Sequence, residues 1–201
     1  MSDKNISRNT LFPVFLKLET LSLLIVGGRY IGLEKLEAVL ANSPATKIKI
    51  VAAEFNEELR EVANQYDTIT LEEKTFEESD LDGMELVILG TNDNDLNAEI
   101  KKMTKARGLL CNVADKPDLC DFYLSSVVQK GDLKIAISTN GKSPTVAKRI
   151  KEFLNEEIPN SIQEVLENMG AIRDKLKGDF EYKVKSLNEV TKDWMNPGAK
   201  K

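Results

Sequence analysis

The 201-residue chain has no histidine at all, two cysteines and one tryptophan. Without an imidazole there is no Ser-His-Asp or Cys-His nucleophilic machinery, no imidazole acid or base, and no zinc site built on histidine ligands. Proton transfer near neutral pH must fall to a carboxylate, Lys, Tyr or Cys. Cys111 and Cys120 lack zinc-knuckle spacing and read as two reduced thiols. No apolar run approaches the ~20 residues of a membrane helix. The polar opening MSDKNISRNT lacks the apolar core of a secretory signal. The expectation is a soluble cytoplasmic protein. Positive charge is not in excess either: 28 Lys+Arg against 33 Asp+Glu leave −5, with the lysines interspersed among acids. That excludes a basic face for duplex nucleic acid.

What is present reads as globular, with 41% hydrophobic and 30% charged residues. The length suits one ordinary domain, or a domain of ~150 residues with a smaller appendage. From residue 11 to about 113, short β-rich runs alternate with segments of helical spacing, the pattern of βαβ units on a parallel sheet. Strands are expected at 21–26, 47–51, 68–71, 85–90 and 109–113, and helices at 31–41, 56–65 and 96–107. The opening LFPVFLKL alternates and reads as an additional strand or edge segment. After Val113 come two β-like runs around a QKGD turn. Ser143 then serves as N-cap and Pro144 as first helical residue of a helix to about Glu157, ended by Pro159. Ile162, Val165, Leu166, Met169, Ile172 and Leu176 recur at helical spacing, and Phe180, Val184, Leu187 and Trp194 mark a last helix. These stripes predict a helical appendage that packs on its own domain or on a partner chain, followed by a frayed GAKK tail.

Four segments carry candidate chemistry. The first is the strand at 21–26 running into Gly27-Gly28-Arg29-Tyr30-Ile31-Gly32. A tight glycine turn feeding a helix N-terminus is where a dinucleotide pyrophosphate sits, because unpaired N–H groups and a partial positive charge meet there. Read as GxGxxG, the frame puts Arg29 where a glycine normally admits the pyrophosphate. Arg29 either swings outward to pair with a phosphate or blocks the site. Glu54, just past the second strand, is a candidate acceptor for ribose hydroxyls and favours NAD over NADP, whose 2′-phosphate would meet like charge. A tight turn with no ligand fits the loop equally well.

The second segment, Gly90-Thr91-Asn92-Asp93, follows the fourth strand at the sheet edge where ligands bind. It also suits an ordinary loop with a helix cap through Asp95. In the third, NVADKPDLCDF, Asp115 stands where a strand end delivers a side chain into the crevice, although a Lys116-Pro117 turn accounts for the same residues. The fourth, Ser138 to Pro144, is a small-residue loop opening a helix that carries Lys148 and Arg149. It can hold carboxylates or phosphate through N–H groups and Lys142, or simply cap the helix.

Taken in order, FPVFLKL, VGG-RYIGLEK, TNDNDLN, NVADKPDLCDFY and STNGKSPTVAKRI resemble the precorrin-2 dehydrogenase family, the NAD-dependent module of siroheme synthesis, over residues 11 to 155 or so. Together with the order of elements, the resemblance implies an α/β fold: a Rossmann-like parallel-sheet domain (1–114), a small α+β dimerisation and active-site region (115–158) and, from helical spacing alone, a helical C-terminal segment (159–201). It implies NAD on Gly27, Gly28, Arg29, Tyr30, Ile31, Ala53, Glu54 and Thr91, and an essential aspartate at Asp115. The substrate it implies is a tetrapyrrole bearing eight carboxylates, which Lys116, Asn140, Lys142 and Ser143 would meet. It further implies a homodimer and, in some members, insertion of Fe2+ into sirohydrochlorin; no residue is assigned to the metal. Arg29 departs from the family's three consecutive glycines. Because Fe2+ favours imidazole and mixed N/O ligands and none is an imidazole here, dehydrogenation ranks above chelation. A tetrapyrrole- or nucleotide-binding protein without catalysis, and another Rossmann-type oxidoreductase or NAD sensor, are the alternatives.

Overall fold

A strand covered on both faces must be apolar on both, and the runs SLLIV, LVIL and most of KIKIVA meet that demand. In the computed structural model, which describes residues 9–192, these runs form β1 (Ser22–Val26), β4 (Leu86–Leu89) and β2 (Lys47–Ala52). With β3 (Ile69–Glu73) and β5 (Leu110–Val113) they make a five-stranded sheet in the order β3-β2-β1-β4-β5, parallel throughout. The two-residue period of the strands divides the core in two. Leu23, Ile25, Ile48, Ile50 and Ile88 pack on one face with Leu36 of α1 (Tyr30–Leu40) and Leu59 of α2 (Glu57–Ala63). Leu24, Val26, Val51, Val87 and Leu89 pack on the other with Ile100 of α3 (Asn94–Ala106). Each fully buried Leu or Ile contributes about 1.5–3 kcal/mol.

The expected opening strand is absent. Residues 9–17 carry no strand, and a short 3-10 turn at Leu18–Thr20 leads into β1. Since β2 and β4 already flank β1, no edge is open beside it, and Phe12, Val14 and Phe15 are exposed. Alternation there is not a sign of one buried face.

Two compact units divide the chain, Met1–Leu124 and Ser125–Lys201. Residues 115–124 stay with the sheet, past the boundary at 114 expected from the sequence, because Asp121 N–H donates to Cys111 O at 2.8 Å and Asn112 Nδ2 to Phe122 O at 2.8 Å. The second unit opens with an antiparallel hairpin, β6 (Ser126–Lys130) and β7 (Leu133–Ile137). Gly131 in its turn adopts φ 58°, and Gln163 bonds the neighbouring Asp132 through both backbone N–H and carboxylate. Helix α4 (Pro144–Glu157) starts as the sequence predicts, with Ser143 Oγ accepting from Val146 N–H at 3.2 Å. Helices α5 (Ile162–Lys175) and α6 (Phe180–Thr191) follow. Trp194 and the GAKK tail lie outside the described residues.

Candidate functional site

In an open parallel sheet the ligand crevice lies beyond the carboxyl ends of the strands, where the strand order reverses. Here that point is between β1 and β4. Gly27, at the end of β1, takes φ 131°, which favours glycine, and its N–H donates to Val51 O at 3.0 Å. A Cβ on Gly32 would stand 2.1 Å from Gly27 O, and one on Gly90 3.0 Å from Gly32 Cα. The start of α1 is therefore laid backbone-to-backbone on the ends of β1 and β4. Gly28 is just as confined: a Cβ there would meet Glu54 O at 2.1 Å.

As in any α-helix, the first N–H groups of α1 have no intrahelical acceptors. The N-cap Arg29 makes no side-chain cap bond, whereas Asn56, Asp93, Ser143 and Asp179 cap α2, α3, α4 and α6. A cavity of about 490 Å³ opens in front of these groups, and Gly27, Gly28, Arg29, Tyr30, Ile31, Ala53, Glu54 and Thr91 all line it. Thr75, Phe76 and Leu96 line it too. They follow β3 or begin α3, so the strand-end rule that picked out Glu54 and Thr91 could have found them.

Arg29 does not plug the cavity. Its side chain is 75% exposed and its Nη2 donates to Glu54 Oε2 at 2.5 Å, with Glu54 itself 66% exposed. Thr91 is held by Asn97, which is buried: Thr91 Oγ1 donates to Asn97 Oδ1 at 2.8 Å and Asn97 Nδ2 donates to Thr91 O at 3.1 Å. The cap of α3 is Asp93, not Asp95: Asp93 Oδ1 accepts from the N–H groups of Asp95 and Leu96.

Asp115 follows β5 and does not line the cavity. It is exposed and sits in the left-handed region at φ 56°, a conformation Asp tolerates better than most residues. Its loop is tied down around Cys120, whose sulfur accepts from Val113 N–H at 3.2 Å and lies 3.3 Å from Lys116 O. Lys101 pairs with Asp121; burial opposes the Asp121 charge, but Lys101 and the Cys111 N–H outweigh it and hold the carboxyl below its usual range. Burial pushes the Cys111 thiol up to about 11, so it is inert near neutral pH. Both cysteines are free. Lys116 is exposed beside Asp115.

In the second unit, Asn140 is exposed at φ 54°, its N–H donating to Ser138 Oγ at 3.2 Å. Lys142 is exposed, and the Ser143 hydroxyl is engaged in capping α4. Among the described residues no group of three or more Cys, Asp or Glu could hold a metal ion, and no helix is long and apolar enough to cross a membrane.

Residues 14–126 match the family model described as putative NAD(P)-binding. The chain belongs to this family. Residues 130–157 match a second model, described as sirohaem biosynthesis protein central. Siroheme synthase of Nitrosococcus oceani is 31% identical over 165 residues, covering 82% of this chain and 35% of the relative. That of Ectopseudomonas mendocina is 35% identical over 169 residues, 84% and 35% of the two chains. The chain thus spans about a third of the length of the curated relatives it matches. Among solved structures, SirC, precorrin-2 dehydrogenase, aligns with a TM-score of 0.72 and 26% identity over 94% of this chain and 93% of that one. The cavity suits the dinucleotide that the family model names: the uncapped N–H groups at the start of α1 face it, as a pyrophosphate needs, and Glu54 lines its rim after β2.

Proposed function

We propose that the chain oxidises precorrin-2 to sirohydrochlorin with NAD+. The observation that carries this reading is the end-to-end likeness to SirC, which includes both units, joined to a dinucleotide-sized cavity at the switch point of the sheet. The substrate loses two hydrogens, one as hydride and one as a proton to a base. A bound nicotinamide supplies the hydride acceptor. Gly27, Gly28, Tyr30 and Ile31 hold the pyrophosphate by backbone, Ala53 and Glu54 meet the adenosine ribose, and Thr91, braced by Asn97, positions the dinucleotide beyond β4. Asp115 takes the proton; its exposure suits passing it to water rather than storing it. Lys116, Asn140, Lys142 and Ser143 meet the carboxylates of the macrocycle.

The region 115–158 also supplies a homodimer interface in this reading, supported by Val146, Ile150 and Phe153, which recur along α4 at helical spacing and are exposed. Helices α5 and α6 form its extension. Two free thiols suit a reducing, cytoplasmic setting. Insertion of Fe2+ as a second substrate is the second reading, favoured by the siroheme synthases among the relatives.

The test mixes the protein with precorrin-2 and NAD+, follows NADH and sirohydrochlorin by absorbance, and then adds Fe2+. Asp115→Ala should lower turnover about 10²–10⁴-fold while calorimetry still detects NAD+ binding. Unchanged turnover removes Asp115 from the mechanism.

A further inference from the structure

Rossmann-type sites choose between dinucleotides by one of two devices at the adenosine ribose: an acid that accepts from the 2′-hydroxyl, or an arginine that receives the 2′-phosphate. This chain carries both, Glu54 after β2 and Arg29 at the N-cap of α1, bonded to one another at 2.5 Å on the cavity rim. We infer that the Arg29–Glu54 pair makes the site tolerant of NADP as well as NAD, with Arg29 as the group that admits the 2′-phosphate.

With both side chains well exposed, the pair is weak and screened by salt. A ribose bearing two hydroxyls leaves it closed and donates to the free side of the Glu54 carboxylate. A 2′-phosphate brings a dianion that competes for the guanidinium, and an arginine binds phosphate more strongly than it binds an exposed carboxylate because the contact is bidentate and doubly charged. Arg29 then turns from Glu54 to the phosphate, and the like-charge penalty that Glu54 alone would impose is offset. Arg29 can make this exchange without disturbing the pyrophosphate cradle, which consists of backbone fixed by Gly27, Gly28 and Gly32.

The inference rests on the reading of the cavity as a dinucleotide site, and calorimetric titration of the full chain with NAD+ and with NADP+ separates the two. Native protein should bind both, with dissociation constants within about tenfold of each other. In Arg29→Ala the ratio of the NADP+ to the NAD+ constant should rise fivefold or more; in Glu54→Gln it should fall below the native ratio. Both positions are on the surface, and far-UV circular dichroism checks that the variants fold. A smaller rise in Arg29→Ala, or a ratio that does not fall in Glu54→Gln, overturns the assignment of Arg29. Failure of native protein to bind either dinucleotide at millimolar concentration overturns the dinucleotide site itself.

Discussion

The sheet unit and the C-terminal unit spend their apolar residues differently. The first buries whole strands, Leu23 to Val26 and Leu86 to Leu89, between helices on both faces. The second buries, among its described apolar residues, Val128, Ala147 and Ile162, and leaves Val146, Ile150, Phe153 and Phe180 exposed. A unit that encloses its own core can hold a rigid site. One that does not is built to be covered, since contiguous exposed apolar surface marks an interaction face. The dinucleotide cavity accordingly belongs to the first unit and the proposed dimer contact to the second.

The contrast can be broken most directly by truncation. Leu24→Ala, in the middle of β1 and fully buried, should lower the unfolding free energy by about 2–5 kcal/mol in urea titration. Ile150→Ala, on the exposed stripe of α4, should cost under about 0.5 kcal/mol in the same titration on dilute, dissociated protein. Equal losses would mean that the second unit has a core of its own. Next in size is association: Phe153→Glu should weaken self-association by about 2 kcal/mol or more, the scale of a central aromatic contact. Light scattering would show the mass falling toward that of one chain, and an unchanged dimer would move the interface elsewhere.

A further effect depends on pH and belongs to the sheet unit. Asp80 is buried; burial works against its charge, but the Glu77 N–H, Lys74 and Lys49 outweigh it and hold the carboxyl below its usual value. A carboxyl lowered in the folded state contributes stability that is present above its unfolded value, near ~3.9, and is lost as pH falls through the folded one. Asp80→Asn should therefore cost about 1–3 kcal/mol at pH 7. The gap from native protein should close below pH ~4, read from urea midpoints across that range. A gap independent of pH would assign the loss to packing.

Much of this was legible in the sequence because parallel strands covered on both faces are continuous apolar runs: all five were placed within a few residues. The cap at Ser143 and the proline beside it were legible for the same local reason. LFPVFLKL misled because alternation says nothing about whether a sheet edge is free to receive a strand. The Arg29–Glu54 pair was not legible, since it depends on side chains brought together by the crossover from β1 to β2; the bracing of Thr91 by Asn97 depends on how the turn after β4 folds back on the start of α3. Sequence placed Arg29 in the glycine frame and left open whether it blocks the site; only its direction, outward to Glu54, decides that.

The contact of Gly27, Gly32 and Gly90 has a consequence for descent as well as for binding. With α1 resting on the strand ends by bare backbone, almost any side chain at these three positions forces chain against chain, so substitution there is closed to drift. The rim is not. Arg29 and Glu54 reach into solvent from fixed backbone, and exchange of either alters what the crevice admits while the fold remains intact. Lineages with this scaffold should therefore diverge in coenzyme choice by changing two surface side chains, with the interior of the crevice inherited unaltered.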